Sequence, residues 1–160
     1  MRIQVVMTLP REAVSVPLTR RTVAAALTAA GIAPDCLDEV EVALSEACTN
    51  VLNHAGKGDA YEVAINISDQ QLTMDVIDFG AGFGHLLPGS TMPEPTAESG
   101  RGLALMRALT DRAVFDSVSG NGGAVHLMKR LRWAPDAPVT QLRARQGAPS
   151  PGRTTPPQGL

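Results

Sequence analysis

Between residues 3 and 131 the hydrophobic period of this chain switches repeatedly between two and about 3.6 residues, and the order of those switches limits the fold more than any other feature. Residues 3–9 read as a strand. An alanine-rich helical stretch, 14–30, ends at Gly31 and Pro34. Asp35 is placed to cap the next helix, where Leu37, Val40, Ala43, Leu44, Ala47 and Val51 form a stripe at helical spacing until Gly56 and Gly58 stop it. Two strands follow, 61–67 and 72–77, joined by a short polar turn, with Val63, Ile65 and Ile67 alternating with Ala64 and Asn66. The glycine-, proline- and serine-rich stretch 80–99 is too long for an ordinary turn. A helix at 102–110 and strands at 113–118 and 124–131 complete the pattern. This order predicts an α+β domain, an α/β sandwich whose mixed, mostly antiparallel sheet carries its helices on one face.

Only 3% of the residues are aromatic, so the core has to be built from Val, Leu, Ile, Ala and Met. Stacking platforms for single-stranded nucleic acid are missing, and a net charge of −2 without a basic block attracts no polyanion. No direct nucleic-acid partner is expected. Cys36 and Cys48 lack metal-site spacing and read as reduced thiols packed like small hydrophobes. No stretch approaches the roughly 20 apolar residues that cross a bilayer. The first strand begins without a charged leader and apolar signal region. A cytoplasmic protein without membrane attachment is expected. Residues 133–160 hold six of the twelve prolines and show no hydrophobic period. Such a segment buries too little apolar surface to offset its ordering entropy, so the expected organisation is a folded domain over 1–132 and a proline-rich flexible tail over 133–160.

Three segments carry chemistry. The first, on the second helix, spaces Glu46, Asn50 and Asn53 by four and three, near one face. A carboxylate and an amide oxygen one turn apart suit Mg²⁺, which takes oxygen ligands and keeps several waters. They also suit a plain solvated helix face. The second segment ends an apolar strand in Asp78 and continues through Gly80, Gly82 and Gly84. Glycine lets a ligand approach the backbone, and Asp78 can accept a hydrogen bond from an exocyclic amine; a glycine-rich turn with a capping aspartate has the same composition. In the third, Gly100, Arg101, Gly102 and Leu103 introduce a helix whose N–H groups and dipole would favour a phosphate, although Ser99 could equally be a simple N-cap. Other nucleotide signatures are absent: there is no G-x-x-x-x-G-K-[ST], no third dinucleotide glycine, and Asp78-Phe79-Gly80 lacks the companion motifs of a eukaryotic-type kinase.

Taken together and in order, these segments resemble the N, G1 and G2 boxes of the GHKL ATPases over roughly residues 10–131, and most closely the RsbW-like anti-sigma factors with serine-kinase activity. The resemblance implies that Glu46 is the general base, that Asn50 ligates Mg²⁺ with Asn53 lining the same pocket, and that Asp78 reads the adenine N6 amine. It further implies that Gly80 and Gly82 flank the base, that Gly100, Arg101, Gly102 and Leu103 lie at the phosphates of ATP, and that residues 84–99 form the ATP lid. The length suits a solitary ATP-binding domain acting on other proteins. By resemblance those are a sigma factor and an anti-anti-sigma (STAS-type) antagonist phosphorylated on Ser or Thr, and homodimers are common in the family. The competing expectation is a non-catalytic module in which ATP only shapes a face that sequesters a regulatory partner. Glu46 separates the two, because binding alone needs no base.

Overall fold

The computed structural model describes residues 2–54, 58–68, 70–78, 97–118 and 122–138. Among the described residues, five strands and three helices follow one another as β1 (Arg2–Pro10), α1 (Ser15–Ala30), α2 (Pro34–His54), β2 (Ala60–Ser68), β3 (Gln71–Asp78), α3 (Ala97–Leu109), β4 (Arg112–Val118) and β5 (Gly122–Arg130). The sheet order is β1-β2-β3-β5-β4. All four pairings are antiparallel, where a partly mixed sheet was expected. The pairing of β5 between β3 and β4 is a long-range choice that no local pattern encodes.

Period-two alternation sets the sheet's two faces. Tyr61, Val63, Ile65 and Ile67 of β2 and Leu72, Met74 and Val76 of β3 are buried, while the residues between them are only half-buried. Val125 and Leu127 of β5 join the same face. Against it lie Val23 and Leu27 of α1, the stripe Val40, Ala43, Leu44, Ala47 and Val51 of α2, and Met106 of α3. Helices cover one face of an antiparallel sheet, and the fold is α+β. Burying a Val, Leu, Ile or Met side chain stabilises by about 1.5–3 kcal/mol, so an aliphatic core supplies what aromatic residues do not.

Gly31 ends α1 in the left-handed conformation, at φ 90°. Its N–H donates to the Thr28 carbonyl, and the Ile32 N–H donates back to Leu27, the paired bonds of a Schellman motif. Leu27 and Ile32 are both buried, giving the motif its apolar contact. Pro34 opens α2 at the position where its missing N–H costs nothing. Asp35 therefore stands in the first turn of α2 instead of capping it, and accepts from the N–H of Cys36 at 2.8 Å.

The packed chain runs past the boundary expected at 132. Trp133 bridges to Ile32, the Ala134 N–H donates to the Gly31 carbonyl, and Ala137 is buried. Residues 132–138 thus form a strap over the α1–α2 turn, and residues 139–160 lie outside the described part of the chain.

Candidate functional site

The core stripe of α2 determines where its polar residues go. With Ala43, Leu44, Ala47 and Cys48 wholly buried, Glu46 and Asn50 are left half-buried and Asn53 exposed. Four residues rise about 6 Å along a helix, so Glu46 and Asn50 present neighbouring oxygens one turn apart.

Helix α3 meets α2 at Gly102. A Cβ at that position would stand 2.7 Å from Oε2 of Glu46, so the glycine is what lets the carboxylate lie against the helix. The sequence pattern started this helix at Gly102, with Gly100 ahead of it. The helix in fact begins at Ala97 and holds both glycines, so the free N–H groups of its first turn precede Gly102. Gly100 has open space on its Cβ side. Arg101 is exposed, while Leu103 packs against the hydrophobic core.

Asp78 ends β3 on the core-facing side, opposite Gly123 of β5, and is wholly buried. Arg11, just beyond β1, forms an ion pair with it, Nη1 lying 3.2 Å from Oδ2. The same guanidinium donates through Nη2 to the Leu52 carbonyl at 3.0 Å and the Val51 carbonyl at 3.5 Å, and through Nη1 to the Gly58 carbonyl at 3.4 Å. The Arg11 backbone N–H bonds the Asp59 carbonyl. One cation therefore ties the last turn of α2, the approach to β2 and the end of β3. It also lines an open cleft of about 950 Å³ together with Pro10, Thr49, Leu52, Asn53 and Asp59. Arg11 was absent from the sequence reading. Its partners lie far along the chain, and no spacing rule marks it.

The site residues fall into two groups. Glu46 and Gly102 are in contact, and Asn53 shares a cleft with the arginine that holds Asp78. Gly80, Gly82 and most of the expected lid lie outside the described residues. Among the described residues no three His, Cys, Asp or Glu side chains gather as a metal site made by protein alone. Mg²⁺ held mainly by phosphate oxygens and water needs only one or two protein oxygens, which Asn50 and Glu46 suit. Burial pushes the Cys48 thiol up to about 12, and burial first, then the Cys48 sulfur, takes the Tyr61 hydroxyl to about 12. Both groups stay neutral, so Cys48 is a core thiol although it lies between Glu46 and Asn50.

The family model described as a histidine kinase-like ATPase domain matches residues 9–129. The chain belongs to the histidine kinase-like ATPase domain family. Among curated proteins this ATPase domain is similar to the serine-protein kinase RsbW of Bacillus cereus (strain AH187), 34% identical over 115 residues, 66% of this chain and 72% of the relative. It is similar to the same extent to the serine-protein kinases RsbW of Bacillus anthracis and of Bacillus thuringiensis (strain Al Hakam). In fold it matches the RsbU and RsbW domains of Rv1364c from Mycobacterium tuberculosis, with a TM-score of 0.62 and 21% identity over 81% of this chain and 32% of that one. The matched residues of the ATPase domain run from the end of β1 to β5 and so contain Arg11, Glu46, Asp78 and Gly102. No helix among the described residues is long and apolar enough to cross a membrane.

Proposed function

We propose that this ATPase domain is an ATP-dependent protein serine/threonine kinase that also holds a sigma factor, and that its phosphoacceptor is a STAS-type anti-anti-sigma protein. The observation that carries the reading is Glu46, a half-buried carboxylate seated against the glycine of a second helix. A module that only binds nucleotide has no use for a base in that place.

In this reading Asp78 accepts from the exocyclic amine of adenine, with Gly80 and Gly82 beside the base. Gly100, Arg101 and Gly102 lie toward the phosphates, and Leu103 fixes their helix to the core. Asn50 supplies an oxygen to Mg²⁺, with Asn53 bordering the pocket. When bound, the metal supplies charge neutralisation along the phosphates. Glu46 takes the proton of the incoming Ser or Thr hydroxyl as its oxygen bonds to the γ-phosphorus and ADP departs. The new phosphate adds about −2 of charge to the acceptor and repels it from its former complex. Two copies of the chain would act as a homodimer in the cytoplasm, consistent with the family resemblance.

The test is transfer of labelled γ-phosphate from ATP to a STAS-type protein by wild type and Glu46→Gln. Glu46→Gln is expected to bind ATP as wild type does and to transfer about 10²–10⁴-fold more slowly. Undiminished transfer would remove Glu46 as the base. ATP binding with no transfer by wild type would leave the non-catalytic module as the better account.

A further inference from the structure

Arg11 lies at the junction of β1 and α1, outside the three segments that define the site, yet its charge lies 3.2 Å from the one wholly buried carboxylate of that site. We propose that Arg11 is the residue that makes this pocket select 6-aminopurine nucleotides over 6-oxopurine ones, acting as a positioning residue through Asp78. This rests on the nucleotide reading given above.

The argument starts from what a buried carboxylate can recognise. An ionised carboxylate only accepts hydrogen bonds; a neutral carboxyl also donates. The first welcomes the amine at C6 of adenine and repels the carbonyl at C6 of hypoxanthine. The second can meet either. A carboxylate removed from water needs a paired cation to hold it as an acceptor. Asp78 is 0% exposed, and the guanidinium 3.2 Å away is the cation that fills that place. Guanidinium suits that role because it stays charged under all ordinary conditions and its fork carries five donors. Here the fork is spent on defined partners: Nη2 on the carbonyls of Leu52 and Val51, Nη1 on Asp78 and the Gly58 carbonyl. The side chain is 14% exposed, so solvent screens the pair weakly. Its charge also faces the C-terminal carbonyls of α2, where the helix dipole favours a cation. The position of the guanidinium is thus set by the backbone of α2, and Asp78 is held by a charge that is itself anchored.

A merely structural arginine, one that closes the end of α2, would weaken every nucleotide equally when removed. A positioning arginine changes the ratio. The experiment is calorimetric binding of ATP and ITP, which differ at the C6 position of the base, to the full chain as wild type, Arg11→Met and Arg11→Lys, with the unfolding midpoint of each recorded. Wild type is expected to prefer ATP by about 10- to 100-fold, the worth of a charge-assisted hydrogen bond. Arg11→Met is expected to bring the two nucleotides within about threefold of each other. Arg11→Lys, which keeps the charge, is expected to restore most of the preference while its midpoint tracks that of Arg11→Met. An ATP preference unchanged in a folded Arg11→Met protein would overturn the inference and leave the adenine pocket standing. No ATP binding by wild type would overturn the pocket and the inference with it.

Discussion

At Gly102 the two effects of adding a methyl group oppose each other. Within a helix alanine is better than glycine by about 1 kcal/mol, while the new Cβ would stand 2.7 Å from Oε2 of Glu46. The obstructing atom is the tip of a flexible side chain, so the carboxylate yields and the helix does not. Gly102→Ala is therefore expected to keep or raise the unfolding midpoint while slowing phosphoryl transfer at least about tenfold, the loss that misplacing a reacting group brings. Calorimetry with a transfer assay reads both; full transfer would mean that Glu46 works equally well displaced. Residues of this kind differ in how legible they were. The places of Glu46 and Asn50 on one helix and of Asp78 at a strand end could be read because helical spacing and strand ends are local patterns. Arg11 could not, since its meaning lies in carbonyls and a carboxylate brought to it from α2 and β3.

The elements show the same division. The apolar stripe of α2 and the alternation of β2 and β3 are visible as periods, and the core contains the residues those periods select. The start of α3 at Ala97 was hidden because the glycines at 100 and 102 read as introducing the helix instead of lying within it. Packing of α3 on α2, with Met106 wholly buried, sustains the helix through them. The α1–α2 turn could be seen in Gly31 and Pro34, but not the strap that closes on it. A Cβ on Gly31 would meet Cβ of Ala137 at 2.6 Å and Cδ of Pro138 at 2.9 Å, and the φ of +90° is strained for any other residue. Gly31→Ala is expected to lower stability by more than about 1–2 kcal/mol in urea unfolding. A loss of a few tenths would show that the strap yields freely.

For the whole molecule, two charge clusters set opposite limits on stability. On the sheet face away from the helices, Nδ1 of His126 lies 2.8 Å from Asp75 and Nε2 lies 3.7 Å from Asp116. The bond to Asp75 raises the imidazole above its ordinary 6.5. Its stabilisation is complete below that value and is lost as pH climbs through the raised one. Three residues further along β5, on the helix-covered face, Lys129 and then Arg132 hold Glu39 below its ordinary 4.5, a contribution present above 4.5 and lost as pH falls through the lowered value. The unfolding midpoint is expected to be highest between 4.5 and 6.5. Asp75→Asn is expected to flatten the alkaline slope alone; an unchanged slope would assign it elsewhere. Trp133, the single tryptophan, stands half-buried on the strap against Ile32. It sits near the start of α2, a helix of 21 residues and thus about 30 Å long, whose far end borders the cleft. Its fluorescence is therefore an optical gauge of strap docking, and with nucleotide bound as proposed at the far part of α2, an emission shift on adding ATP would record a change carried along that helix.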